Sequence, residues 1–339
     1  MPPVKLPASF QALVVRNHLT DGPADIRAQI ESLPLEQLPP GEVVIRVHYS
    51  SLNYKDALAA RGHPGIAKSL PHIPGVDAAG VVVESQDPVF LPGQEVLVTG
   101  FELGAGRWGG FSQFIRVPAA WVLPLPTDMT MRQSMIFGTA GFTAGLCVLA
   151  LQDHDIWPHS GPVIVTGASG GVGSHAVAIL AHLGYDVTAV TGKNPDYVRN
   201  LGARRALSRE EILDKSDRPL LKGHWAGGVD TVGGEALTSI VRGTRQHGCV
   251  TACGLVGGAE LRMTVYPFIL RGVSLVGIDA SQTIENKREK VWEKLAGDWR
   301  VKDLEQLVAA EVTLVELPAW IEKILAGEVQ GRVVVRVGE

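Results

Sequence analysis

The chain has 339 residues, enough for two domains, and its 45% apolar content is that of a protein with packed cores, which excludes a disordered chain. A formal charge of -4 is small for this length, so composition gives no reason to expect nucleic acid or an anionic membrane as a partner. Cys147, Cys249 and Cys253 are odd in number and lack metal-type spacing, which fits buried, reduced thiols in a cytoplasmic protein.

The opening, "MPPVKLPASFQALVV", lacks the continuous apolar run of a signal peptide, so no export is expected. The first third is dense in strand-like runs punctuated by turns: "FQALVVR", "GEVVIRVHYSSL", "GVDAAGVVVES", "GQEVLVTG" and "GGFSQFIRVP". That pattern predicts a β-rich domain. The long uncharged stretch "SMIFGTAGFTAGLCVLALQ", Ser134 to Gln152, is diluted by Gly and Thr and has no basic flanks, which predicts a buried helix and no membrane span. After Thr127 the strand-like runs "VIVTGA", "DVTAVTG", "GGVDTVGG", "GCVTACGL" and "VSLVGID" are separated by helical-period segments. These are βαβ crossovers, so the middle of the chain reads as a doubly wound parallel sheet. Past about Asp279 come an amphipathic helix and then a strand, a helix and a strand with no place in that sheet. The expected division is 1–137 for the β-rich domain, 138–280 for the parallel-sheet domain and 281–339 for a return to the first.

The most informative stretch is "VIVTGASGGVG", Val163 to Gly173, where a β-branched run empties into four glycines ahead of the helical "SHAVAILAHLGY". The first N–H groups of a helix have no partner within it, and with the helix dipole they form an anion site. Gly167, Gly170, Gly171 and Gly173 permit a tight turn and the close approach of phosphate oxygens, so the loop reads as the pyrophosphate cradle of a dinucleotide. At the end of the second strand, where an acidic residue would hold the ribose of NAD, stands Thr191, followed by Gly192 and Lys193. A hydroxyl and a cation favour the 2'-phosphate of NADP, with Arg205 as a further candidate. Asn194 ahead of Pro195 reads as a helix N-cap.

The segments "SSLNYKDALA", "IPGVDAAG", "WGGF", "GTAGFTA", "VTGASGGVG", "DTVGG", "ACGLVGG", "PFILRGV" and "QGR" resemble the medium-chain dehydrogenase/reductase superfamily. Within it they are most similar to the zinc-free acryloyl-CoA reductase and quinone oxidoreductase-like family, and they cover nearly the whole chain. The resemblance implies an α/β protein with a β-rich GroES-like catalytic domain and a Rossmann-type cofactor domain. Zinc-dependent members place a Cys and a His at the positions held here by Asn53 and Val76 and a second Cys near Thr139, so no metal is expected.

The implied activity is NADPH-dependent reduction of the alkene of acryloyl-CoA, with reduction of quinones or free unsaturated carbonyl compounds as the alternative and a non-catalytic NADPH-binding protein as a third reading. Tyr54 and Asn53 are the expected catalytic residues, Tyr54 beside the nicotinamide and Asn53 as an amide donor to the substrate oxygen. NADPH is expected against Tyr54, Thr139, Thr143, Ser169, Gly170, Gly171, Val172, Thr191, Gly192, Lys193, Arg205, Leu255, Ile269 and Arg332. Arg61, His63, Lys68 and Arg107 are candidates for the phosphates of an acyl-CoA. The resemblance further implies a homodimer formed through "VSLVGID", the last strand of the cofactor sheet, whose open edge needs cover.

Overall fold

The computed structural model describes residues 6–19 and 25–338; the first five residues of the opening stretch lie outside the described residues. The chain divides into two compact units. One comprises 1–139 and 308–339, the other 140–307.

The first unit opens with a hairpin of β1 (Ser9–Asn17) and β2 (Ile26–Pro34). β3 (Val43–Leu52) leads into α1 (Tyr54–Ala60), followed by β4 (Asp77–Ser85), β5 (Glu95–Thr99), β6 (Phe114–Val117) and β7 (Leu123–Pro124). The second sheet of this unit contains these five strands and is completed from the far end of the chain. Val43, Ile45 and Val47 of β3 and Val96 and Val98 of β5, two residues apart along their strands, are buried in one core.

α2 (Met131–Asp153) is the long apolar helix expected from "SMIFGTAGFTAGLCVLALQ". It is long and apolar enough to cross a membrane, yet 94% of its apolar window is buried, the character of a core helix. It kinks at Gly138, whose φ of 50° and ψ of -158° lie outside the helical region.

The second unit runs β8 (Val163–Val165), α3 (Gly171–His182), β9 (Val187–Val190), α4 (Pro195–Asn200), β10 (Arg205–Leu207), α5 (Arg209–Ile212), β11 (Trp225–Asp230), α6 (Gly234–Arg242), β12 (Thr244–Ala252), α7 (Tyr266–Arg271) and β13 (Ser274–Gly277). Its sheet is parallel throughout, in the order β10-β9-β8-β11-β12-β13. This is the doubly wound order in which the chain reverses direction across the sheet between β8 and β11, and ligands bind outside the carboxyl ends of the strands at that reversal. β10 and β13 are its two edge strands.

The expected boundary at 281 is corrected. α8 (Glu285–Ala296) belongs to the second unit because its buried stripe of Arg288, Val291, Trp292 and Leu295 faces the later turns of α2. Trp292 stacks on Phe142 with ring centroids 6.2 Å apart, and Val291 lies against Gly145, where a Cβ would meet it at 2.6 Å. The return to the first unit begins at Val308. There β14 (Val308–Thr313), α9 (Leu317–Leu325) and β15 (Arg332–Arg336) extend the first unit's larger sheet in the order β14-β15-β3-β4-β5-β7, with β6 also paired to β3.

Candidate active site and cofactor cradle

In the second unit, β8 ends at Val165 and α3 begins at Gly171. Gly167 has φ +57°, a conformation side chains rarely adopt, and a Cβ on Gly173 would lie 2.2 Å from the Gly167 carbonyl oxygen. The turn therefore closes only on glycine. Gly170 differs: its φ is -82° and a Cβ there would come no nearer than 3.3 Å to its surroundings. Bare backbone at Gly170 is thus not demanded by the turn itself, and it leaves the mouth of α3 open where the first N–H groups lack helical partners.

The loop is tied down from both sides. The Thr166 hydroxyl donates to buried Asp230 at 2.7 Å and accepts from the Thr231 N–H at 3.1 Å. Asp230 also accepts from the N–H groups of Val232 and Gly233, while burial pushes its carboxyl above the usual range. On the β9 side, the Thr191 hydroxyl donates to the Ser169 hydroxyl at 3.0 Å and accepts from the Lys193 N–H at 3.0 Å. Ser169, Thr191 and Lys193 are thereby joined at the carboxyl end of β9. Burial lowers the Lys193 ammonium from its ordinary value, as expected of a cation drawn partly out of water.

Arg205 is placed differently from expectation. It sits at the amino end of β10, opposite Thr188, with its guanidinium on Asp186 at 3.4 Å. The arginine beyond the carboxyl end is Arg209, whose Nη2 lies 3.2 Å from the point a Cβ on Gly257 would occupy. A strand of three residues carries no pattern, so the sequence does not tell which of its ends each arginine occupies. Leu255 and Ile269 are 68% and 72% exposed, whereas Thr143 is buried.

In the first unit, α1 starts at Tyr54 with Asn53 as its N-cap. Beneath them lie two buried carboxylates, Asp56 and Asp77. Asp56 accepts from the N–H groups of Asn53 at 2.8 Å, Gly75 at 3.2 Å and Val76 at 2.8 Å, and from Asn53 Nδ2 at 3.1 Å. It does not pair with its neighbour Lys55, which is exposed. Burial and then the charge of Asp77 push the Asp56 carboxyl up to about 7, against the pull of these donors.

Asp77 accepts from Ser51 Oγ at 2.6 Å, from Asn53 Nδ2 at 2.8 Å, and from both the N–H and the hydroxyl of Thr139, at 2.9 and 2.6 Å. Arg332, expected against NADPH at the C-terminal return, is only 2% exposed. Its guanidinium donates to Ser51 Oγ at 2.8 Å and to the carbonyls of Leu52 and Ile136 at 3.2 and 3.1 Å. Gly138 fits into this cluster because a Cβ would lie 2.5 Å from Ser51 Oγ and 2.6 Å from Asp77 Oδ2. Tyr54 is 45% exposed and its hydroxyl hydrogen-bonds to no described residue.

The three positions matched to zinc ligands, Asn53, Val76 and Thr139, therefore converge on Asp56 and Asp77 through an amide, a backbone N–H and a hydroxyl. These are hydrogen-bond donors, not the thiolate and imidazole ligands that zinc takes. Among the described residues no group of three or more His, Cys, Asp or Glu is arranged to hold a metal ion.

The acyl-CoA candidates have partners within the first unit. Arg61 pairs with Glu322, Lys68 with Glu102 at 3.2 Å, Arg107 donates to the Pro40 carbonyl, and His63 Nδ1 accepts from the Gly65 N–H at 3.2 Å.

A β-rich unit closed by the C-terminus, joined in sequence to a doubly wound parallel sheet with a glycine loop at its reversal, defines a medium-chain dehydrogenase/reductase. Residues 39–127 match the family described as alcohol dehydrogenase GroES-like domain, and 171–297 that described as zinc-binding dehydrogenase. Acrylyl-CoA reductase AcuI of Ruegeria pomeroyi is 47% identical over 97% of this chain and 99% of its own length. Putative quinone oxidoreductase YhfP of Bacillus subtilis is 43% identical over the same shares. The solved yhdH oxidoreductase of Salmonella enterica, in complex with NADP, superposes with a TM-score of 0.92 at 46% identity, covering 97% of this chain and all of that one. The chain belongs to the zinc-free acrylyl-CoA reductase and quinone oxidoreductase-like family of the superfamily.

Proposed function

We propose that this protein reduces the alkene of acryloyl-CoA to propanoyl-CoA with NADPH. The observation that carries the reading is full-length similarity to an acrylyl-CoA reductase in a chain whose nucleotide strand ends in Thr191-Gly192-Lys193, with no carboxylate to repel a 2'-phosphate. The open mouth of α3 at Gly170 suits a pyrophosphate, with Ser169, Gly171 and Val172 around it. Thr191, Lys193 and Arg209 would hold the 2'-phosphate, Arg209 replacing Arg205 in that role.

Bound NADPH would supply a hydride to the β-carbon of the unsaturated thioester and leave as NADP+, and a proton taken up at the α-carbon would complete propanoyl-CoA. Charge then develops on the thioester oxygen, and a positioned donor there is the largest catalytic contribution the protein can make in a metal-free site. Tyr54 carries the available side-chain donor, since its hydroxyl is uncommitted while the amide hydrogens of Asn53 face Asp56 and Asp77. Tyr54 also offers a ring face to the nicotinamide, with Thr139, Thr143, Leu255 and Ile269 as further cofactor contacts.

The protein works as a homodimer in this reading. β13 is an open edge, and the same unit exposes Val256, Val265 and Leu270, apolar side chains that a second copy would cover. A cytoplasmic setting suits its three cysteines, none of them in a disulfide.

The test is NADPH oxidation followed with acryloyl-CoA and with 1,4-benzoquinone. Turnover of the thioester is expected; turnover of the quinone alone would move the protein to the quinone reductase reading, which the similarity to YhfP favours. Light scattering at micromolar concentration tests the dimer, and a monomer mass would contradict it.

A further inference from the structure

We infer that Asn53 is a positioning residue, locked between two buried carboxylates to aim Tyr54, and that it makes no hydrogen bond to the substrate. The inference deepens the reductase reading and rests on it for the identity of the substrate.

The argument starts from donor and acceptor counts. An Asn side chain has two amide hydrogens, both on Nδ2. Here Nδ2 lies 2.8 Å from Asp77 Oδ2 and 3.1 Å from Asp56 Oδ2, with the Ser51 carbonyl a third acceptor at 3.3 Å. Three acceptors surround the nitrogen, and turning the amide over would set its oxygen against the Asp77 carboxylate and the Ser51 carbonyl. Nδ2 has no hydrogen left for a developing enolate.

What the lock controls is the first turn of α1. Asp56, in that turn, is held by the N–H groups of Gly75 and Val76. Asn53, which caps it, is held by Asp77 of β4. Asp77 is fixed in turn by Thr139 of α2 and by Ser51, onto which buried Arg332 of β15 donates. Segments far apart in sequence thus meet under the single residue pair Asn53-Tyr54. The Tyr54 side chain has no hydrogen bond of its own among the described residues, so its direction is set by the backbone on which it stands. A misplacement of about 1 Å at a reacting group costs on the order of a hundredfold in rate.

The experiment is a cycle of variants in the intact enzyme. Asn53→Ala and Asn53→Ser are each combined with Tyr54→Phe, the serine retaining a capping oxygen so that α1 still starts. Positioning through Tyr54 predicts that either Asn53 variant lowers kcat with acryloyl-CoA by about 10- to 100-fold. In the Tyr54→Phe background the same change adds less than about twofold, because the group it aims is gone. A direct donor to the enolate would instead give losses that multiply, with about 10²- to 10³-fold for Asn53 alone; that result would overturn the inference.

A second readout needs no turnover. A fluorine-labelled tyrosine placed only at position 54 is expected to give a shifted or broadened resonance in Asn53→Ser and in Asp77→Asn. An unchanged line in both would overturn the inference even if rates fell. If the unaltered enzyme fails to reduce acryloyl-CoA, the functional reading falls, and the fluorine line alone decides the positioning role.

Discussion

Thr139 donates twice to one oxygen of Asp77, from its backbone N–H at 2.9 Å and from its hydroxyl at 2.6 Å. The other oxygen takes the Ser51 hydroxyl and the Asn53 amide, so the carboxylate is surrounded by donors. Replacing it with an amide turns one acceptor into a donor that faces donors. Asp77→Asn is therefore expected to destabilise the protein by about 1–3 kcal/mol, the cost of leaving buried polar groups unpaired. Urea unfolding measures this directly, and an unchanged midpoint would contradict it.

Gly138 lies beside the same cluster in a conformation that side chains rarely adopt. In Gly138→Ala the new methyl meets Ser51 Oγ and Asp77 Oδ2 at under 3 Å, on top of backbone strain of roughly 1–3 kcal/mol. Loss of stability should be accompanied by loss of turnover, because one of the displaced atoms, Asp77 Oδ2, holds Asn53. A thermal melt and a rate on the same preparation check both.

Asp56 has a folded-state pKa of about 7, well above an unfolded carboxylate at about 3.9. Between those values the folded protein binds the proton more tightly than the unfolded chain does. Its contribution is most favourable at acid pH, declines as pH rises through that window, and is constant above it. The decline is on the order of 1.4 kcal/mol per pH unit at most. Asp56→Asn should remove that slope, so unfolding midpoints for both proteins between pH 5 and 8 should converge toward neutral pH; parallel profiles would rule this out.

Gly170 and Gly173 separate binding from folding. Gly170→Ala has nearly enough room within the chain, whereas Gly173→Ala drives a methyl into the Gly167 carbonyl. The first should melt close to the parent and bind NADPH at least tenfold more weakly, because its methyl occupies the place proposed for the pyrophosphate. The second should lose stability outright. Calorimetric titration of NADPH beside a melt tells the two apart.

Lys193→Ala and Arg209→Ala should each weaken NADPH by about 10- to 100-fold while leaving NADH little changed, as expected for the loss of a charge-assisted hydrogen bond of about 1.5–3 kcal/mol. Arg205→Ala should not, since its guanidinium is on Asp186. A ratio of NADPH to NADH affinity that falls for Arg205 and holds for Arg209 would reverse the assignment.

Local signals made much of this molecule legible. The strand-like run "GEVVIRVHYSSL" and the β-branched run before "GASGGVG" mark strands β3 and β8, and the glycines mark the turn into α3. Asn194 is a helix cap as its Asn-Pro context implies, accepting from the Asp196 N–H at 2.9 Å. What stayed hidden depends on long-range closure. No periodicity brings Ser51, Asp77, Thr139 and Arg332 together, or sets Asp56 and Asp77 on either side of the Asn53 amide. Arg332 reads from its place in "QGR" as a cofactor contact, because a guanidinium buried among carbonyl oxygens has no local signature. β10 is three residues long, too short for a pattern, and so the two ends of Arg205–Leu207 could not be assigned.

The first unit is assembled from both extremes of the chain, with β15 lying between β14 and β3, while the second is a single continuous stretch. During synthesis on the ribosome, residues 140–307 emerge with every strand of their sheet, but β3, which can already pair with β4 and β6, waits for β15 until residues 332–336 have been made. A message truncated just ahead of Val308 would thus yield an intact nucleotide fold attached to an unfinished one, with the guanidinium that should reach Ser51 never made.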